Sequence, residues 1–278
     1  QTQTYVTEYS PHDSGEEWRD DSPDAGTVPL DVRKVIARRS LLEFAPGQIS
    51  NLGFGISQAI GAIAQEEGIA DRVVLTVEQG LFGGVPASGD DGGAAYNYQA
   101  RIDQPYMFDF YDGGGLDVAS LSFAEVDPSG NVNVHAFGSR LRGPGGFPNI
   151  SRGAGKVCFV GTLTTAGLDV SIEDGRLGIN AEGKVQRFVG EVREITFSGR
   201  DAAANGQEVR YITERAVFAL IDGTVTMIEI AEGLDPETDV IAHMGFRPAI
   251  SPDLTRIDPR VYGTELMGLR EQLRREEK

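Results

Sequence analysis

Three short segments of the 278-residue chain hold groups whose type and spacing suit chemistry. The first is Glu78-Gln79-Gly80, which closes the run Arg72-Val73-Val74-Leu75-Thr76-Val77. A carboxylate at the end of a buried strand has a short, rigid leash, and Gly83 and Gly84 follow closely enough to line a crevice around it. Such a group is either a capping or loop carboxylate or a functional one. In the functional case it is a general base, or a nucleophile that forms a covalent acyl intermediate. The nucleophile needs amide donors for the developing oxyanion. The second segment, Gly143-Pro144-Gly145-Gly146-Phe147, could supply them from the backbone of Gly145 and Gly146. The third segment is Asn51-Leu52-Gly53-Phe54-Gly55, whose glycines let a ligand approach the backbone ahead of a helix. It is not a G-x-G-x-x-G fingerprint, so no nicotinamide cofactor is expected.

Other chemistries find little support. His12, His135 and His243 are scattered, and a single cysteine cannot build a thiolate zinc site, so no metal is expected. There is no G-x-S-x-G elbow. His135 follows a strand and reads as structural. Cys158 lies in an apolar strand, where a thiol is buried and inert.

These groups must be positioned by alternating helices and strands. Asp31 can cap a helix in which Val32, Val35, Ile36, Leu41 and Leu42 recur at helical spacing. Between them lie Arg33, Lys34, Arg38 and Arg39, read as a solvated face or else an interdomain or anion contact. Residues 49–57 read as a strand and glycine turn, with Ser57 opening a helix, and residues 72–77 read as a buried parallel strand. From 108 onward the chain reads as strand-rich. Phe108-Asp109-Phe110-Tyr111 leads into the Gly113–Gly115 turn, and Val118–Val126 fits helix or strand. Asn131–Val134 completes a hairpin after Asp127–Gly130. Residues 140–149 read as a glycine loop and Lys156–Leu163 as another buried strand. Strand-like runs follow at 167–172, 195–197, 215–220 and 224–228, with Asp174-Gly175 and Asp222-Gly223 as hairpin turns. A helix is expected at 236–247, and a polar helix or tail at 262–275.

Composition bounds the rest. With 25 basic and 42 acidic residues the net charge is −17, which argues against nucleic acid as the partner and fits a soluble surface. Hydrophobic residues make up 40%, enough for a core without disulfides, and the lone cysteine fits a reducing, cytoplasmic setting. No apolar run is long enough to span a membrane, and no signal peptide is apparent. The 36 glycines, without collagen period, read as loop residues between strands. Residues 1–30 read as a polar linker or extended arm in which Trp18 packs against the main domain or a partner. Residues 31–278 read as one domain. The chain begins at Gln1, which fits a fragment, a processed chain or one half of something larger.

The segments VRKVIARRSLLEF, NLGFGI, LTVEQGLFGGVPASG, FDFYDGGGLDVASLSFAEVDPSGNVNV, FGSRLRGPGGFPNI and ITERAVF occur in this order between residues 32 and 218. Together they resemble the C-terminal, glutamate-bearing half of the class I CoA-transferases, especially the acetate/propionate branch. The resemblance implies a three-layer α/β fold, with a mostly parallel sheet, helices on both faces and added antiparallel strands. It implies that Glu78 is the nucleophile, that Gly145 and Gly146 belong to the oxyanion site, and that Asn51, Gly53, Phe54, Gln79 and Gly113 are candidate substrate-binding positions. It implies ping-pong chemistry on an acyl-CoA and a carboxylic acid. Coenzyme A is then substrate and covalent intermediate rather than a tightly bound cofactor. It implies an α-type partner half and an oligomer. The family more often has Ser or Asn at position 79, Ile or Val at 54 and Pro at 57, so Gln79, Phe54 and Ser57 bear on acyl specificity. Two other readings share the fold: an acyl-CoA thioesterase in which Glu78 activates water, and a non-catalytic binding subunit.

Overall fold

The computed structural model describes residues 6–18, 28–87 and 91–276. The remainder of the expected arm, at 1–5 and 19–27, lies outside the described residues. Within 6–18 the backbone N–H groups of Val6 and Thr7 donate to Asp91, the Tyr98 hydroxyl donates to the Ser14 carbonyl, and Trp18 is exposed.

The strands of the main sheet, numbered along the chain, are β1 (Ile49–Leu52), β2 (Val74–Val77), β3 (Leu81–Phe82), β4 (Ala100–Arg101), β5 (Val118–Ser122), β6 (Lys156–Val160), β7 (Glu208–Ile212), β8 (Ala216–Ile221), β9 (Thr224–Ile230) and β10 (Ala249–Arg256). They form one ten-stranded sheet in the order β10-β9-β8-β7-β6-β5-β1-β2-β3-β4. The central five, β7-β6-β5-β1-β2, are parallel. β8 and β3 turn back antiparallel at either side. The helices are α1 (Val32–Leu41), α2 (Gln58–Glu66), α3 (Gln104–Asp112), α4 (Phe147–Gly153), α5 (Gly199–Ala204) and α6 (Leu269–Glu276).

Two hydrophobic clusters lie on opposite faces of the sheet. Val118, Cys158, Val160 and Ile212 point to the cluster shared with α1 and α2. Ala119, Leu121, Val157, Phe159 and Tyr211 point to the one shared with α3 and α4. Strands buried on both faces need apolar residues at every position, which is why β6 reads as an unbroken run. The result is the three-layer α/β architecture.

Several elements differ from the sequence reading. Residues 108–111 belong to α3, not a strand, with Pro105 in the first turn and Met107 and Tyr111 buried one helical turn apart. Residues 118–122 resolve as strand. The glycine loop ends at Gly146, because Phe147 starts α4 with Pro148 in its first turn. Only a π turn (236–240) and a 3-10 turn (241–243) stand where a helix was expected, and 195–197 makes a single bridge rather than a strand.

The cations of α1 are the largest correction. Arg33 is exposed, but Lys34, Arg38 and Arg39 are buried. Lys34 pairs with Glu66 at 2.8 Å. Arg38 donates to the carbonyls of Gly263 (2.6 Å) and Glu265 (2.8 Å). Arg39 grips Glu229 through two hydrogen bonds of 2.7 and 2.6 Å and pairs with Glu43 at 2.9 Å, and Lys156 reaches the same Glu43 at 3.1 Å. Burial alone would raise the Glu43 carboxyl, but Arg39 and Lys156 outweigh it and hold it below its ordinary value. A depressed carboxyl contributes stability above its unfolded pKa and loses it as the pH falls. Arg39→Ala strands the half-buried Glu229 and leaves Glu43 to Lys156 alone, so it is expected to cost about 3 kcal/mol near neutral pH. In urea unfolding that deficit should shrink as the pH falls and Glu43 protonates. A deficit below about 1 kcal/mol, the range of a surface pair, would contradict this.

Candidate active site

The site lies where the order of the central strands reverses direction. From β1 the chain crosses by α2 to β2 on one side, and later returns as β5 on the other. The connections therefore diverge at the carboxyl end of β1, which leaves a crevice there. A cavity of about 300 Å³ opens at this point. Its walls are Asn51 to Phe54 at the end of β1, Thr76 to Gln79 at the end of β2, Leu121 and Ser122 at the end of β5, and Gly143 to Phe147 opposite.

Glu78 stands on the tight turn that joins β2 to β3. The Gly80 N–H closes it by donating to the Val77 carbonyl at 2.9 Å, and Leu81 pairs back on Val77. Gly80 is required here: its φ is +116°, and a Cβ would lie 2.0 Å from the Ile102 carbonyl oxygen. One residue beyond a paired strand position, the carboxylate has little freedom of reach.

Among the described residues the Glu78 carboxylate has neither a hydrogen-bond partner nor an ion pair, and burial pushes its pKa above the ordinary value. Gly146 packs against it. A Cβ on Gly146 would sit 2.7 Å from Glu78 Oε2 and 2.8 Å from Cζ of Phe108. Gly146 has an unremarkable φ of −77°, so it is the close approach, not the backbone angle, that needs glycine. The backbone N–H groups of Gly145 and Gly146 have no acceptor among the described residues. An unpaired carboxylate and two free amide donors thus share one small, largely apolar chamber. Such a set can attack an electrophilic carbonyl and hold the oxyanion that results.

Of the other sequence-derived positions, Asn51 is buried on the cavity floor, and Gly53 lies against Leu121 with its N–H bonded to Ser120 O at 2.8 Å. Phe54 is exposed on the rim, and Gln79 lies beside Gly93. Gly113 is the exception. Because 104–112 is a helix, Gly113 caps the C-terminus of α3 with its N–H on the Asp109 carbonyl, and it does not line the cavity. Ser57 does precede α2, but its hydroxyl meets Ser120 Oγ at 3.2 Å rather than capping the helix. His135 meets Thr196 Oγ1 at 2.7 Å. Burial raises the Cys158 thiol to about 12. Phe108 and Tyr111, whose rings meet edge to face at 5.8 Å beneath the site, escaped the sequence reading. Their i, i+3 spacing is the signal that would have revealed them once α3 was recognised as a helix. Among the described residues no group of three or more His, Cys, Asp or Glu could hold a metal.

Comparison with known proteins shows the family to which this fold belongs. No protein-family model matches the chain. The acetate CoA-transferase YdiF of Escherichia coli strain K12 is 48% identical over 255 residues, which are 92% of this chain and 48% of that protein. The caffeate CoA-transferase of Acetobacterium woodii is 47% identical over 247 residues, 87% of this chain and 47% of that protein. The crystal structure of the Escherichia coli O157:H7 acyl-CoA transferase YdiF in its thioester complex with CoA superposes with a TM-score of 0.82. It is 47% identical and covers 90% of this chain and 46% of that chain. The acetate CoA-transferase subunit beta of Escherichia coli strain K12 is 28% identical over 75% of this chain and 90% of that protein. The chain belongs to the class I CoA-transferase family and spans about half the length of the first two relatives.

A carboxyl with a raised folded-state pKa favours the fold while protonated and opposes it once ionised, so its cost develops as pH rises from the unfolded to the folded pKa. Glu78→Gln is therefore expected to raise the melting temperature near neutral pH, with the gain vanishing below the ordinary glutamate pKa of 4.5. An equal or lower melting temperature at neutral pH would contradict the unpaired, desolvated state of Glu78. Gly146→Ala keeps its backbone N–H but brings a Cβ to 2.7 Å from Glu78 Oε2, so it should displace the carboxylate and lower its reactivity about a hundredfold, the scale of an ångström's misplacement.

Proposed function

We propose that this chain is the nucleophile-bearing half of an enzyme that moves CoA from an acyl-CoA thioester to a carboxylic acid. The observation that carries the reading is Glu78: partly desolvated, without a partner, and packed against Gly146 beside free amide donors. Its oxygen attacks the thioester carbonyl and expels CoA thiolate, leaving an acyl-glutamyl anhydride. The thiolate then attacks the glutamyl carbonyl and expels the first carboxylate, leaving a glutamyl-CoA thioester. A second carboxylate attacks that thioester, and the returning thiolate takes the new acyl group, which frees Glu78.

Each addition places negative charge on a carbonyl oxygen. A well-placed backbone donor such as Gly145 or Gly146 stabilises that charge by about 3–4 kcal/mol. A carboxylate is a weak nucleophile and an anhydride is high in energy, so binding of the remote parts of CoA must be used at the reacting centre. Partial desolvation also leaves Glu78 unshielded by water when the thioester arrives.

An α-type half, as a separate subunit or a further stretch of the same polypeptide, completes the enzyme. The length shared with a beta subunit and with half of the longer relatives supports this. The acyl donor and acceptor are organic acids whose carbon chains fit the largely apolar cavity. No membrane or nucleic-acid partner enters the reading; among the described residues no helix is long and apolar enough to cross a membrane.

The test is to incubate the complete enzyme with acyl-CoA and no acceptor, reduce with borohydride and map the peptides. Modification of Glu78, and loss of both modification and turnover in Glu78→Gln, is the expected result. Steady release of free acid with no adduct would instead favour a hydrolase in which Glu78 activates water.

A further inference from the structure

Beneath Glu78 runs a chain of hydrogen bonds whose direction has only one solution. The Ser50 carbonyl oxygen can only accept, so the Thr76 hydroxyl, 2.9 Å away, donates to it. Thr76 Oγ1 is then the acceptor for the Tyr111 hydroxyl at 2.9 Å. With its own hydrogen committed, the Tyr111 oxygen accepts from Asn51, so the amide nitrogen of Asn51, at 3.1 Å, must be the atom facing it. The second hydrogen of that nitrogen goes to the Thr76 carbonyl at 3.3 Å. Both amide donors are consumed. Asn51 Oδ1 is left without a partner on a side chain that is 3% exposed and lines the cavity.

We infer that Tyr111 is a positioning residue of the site: through this one-way relay it holds the Asn51 amide with its oxygen toward the cavity, as an acceptor for an N–H or O–H of the bound acyl-CoA. The inference rests on the transferase reading above. Tyr111 is fully buried and does not itself line the cavity, so it acts through the wall residue Asn51 rather than on the ligand. Oδ1 is not one of the buried atoms sealed away without a partner, so it stays accessible from the cavity and a ligand that brings a donor can bond to it. The relay also explains why a hydroxyl stands where phenylalanine would pack equally well against Phe108 and Phe110.

The test is a double-mutant cycle in the complete enzyme, reading the rate of Glu78 modification by acyl-CoA together with kcat/KM. Tyr111→Phe releases Asn51 to flip and should lower kcat/KM about tenfold, the net worth of one hydrogen bond. Asn51→Ala should lower it by as much or more. The double variant should be no slower than Asn51→Ala alone, although each substitution lowers the melting temperature separately. Thr76→Val cuts the relay one link further on and should be equally non-additive with Tyr111→Phe. Two donor sources are separated by comparing hydroxylated with plain acyl groups, and N-acetylcysteamine thioesters with simple alkyl thioesters. Whichever donor Asn51 reads is the one whose removal makes Asn51→Ala indifferent. A wild-type rate in Tyr111→Phe, or effects that multiply in the double variant, would overturn the inference alone. Absence of Glu78 modification in the wild type would overturn the transferase reading with it.

Discussion

An ionisable carboxylate held in a small chamber with no countercharge among the described residues is the constraint around which this domain is organised. Left to itself, Glu78 would capture a cation or swing to water. Neither occurs because the turn after β2 is locked by Gly80 and the opposite wall is Gly146, too close for any side chain. The cost of keeping the carboxylate unpaired falls on global stability. The remainder of the chain compensates with a sheet buried on both faces and a network of paired charges under α1.

The contrast between those two electrostatic environments is informative. Lys34, Arg38 and Arg39 are buried, yet each has a carboxylate or carbonyl partner. Glu78 has none. Buried charge that serves structure is matched, whereas the charge offered for chemistry is left open. The divergence of strand connections at β1 gives the open charge its place, since only there do three loops converge without a helix filling the space.

Much of this geometry was legible in the sequence. The apolar strand ending in Glu78-Gln79-Gly80 reads as a strand end, and the glycines of 143–146 as a loop able to offer amide donors; the structure brings both segments to one cavity. The β-branched runs at 72–77 and 156–160 announced parallel strands. What stayed hidden depends on tertiary partners. Phe108-Asp109-Phe110-Tyr111 alternates like a strand and has aromatic propensity for one, but Pro105 and the docking of Met107 and Tyr111 against β5 and β6 make it helical. That helix places Tyr111 under Asn51 and moves Gly113 away from the cavity. The cations of α1 looked solvated because most of their partners come from distant segments: Glu66 for Lys34, Glu229 for Arg39, and the carbonyls of Gly263 and Glu265 for Arg38.

The most direct measurement of the central claim follows oxygen rather than activity. In the proposed sequence each incoming acid leaves one of its oxygens on Glu78, because the carboxylate that attacks the glutamyl thioester supplies the bridging atom of the anhydride. Turnover of the complete enzyme with an acceptor acid carrying oxygen-18 in its carboxylate, in ordinary water, should therefore enrich Glu78, and peptide mass spectrometry should place the label there. Glu78 unenriched after many turnovers would contradict a nucleophilic glutamate.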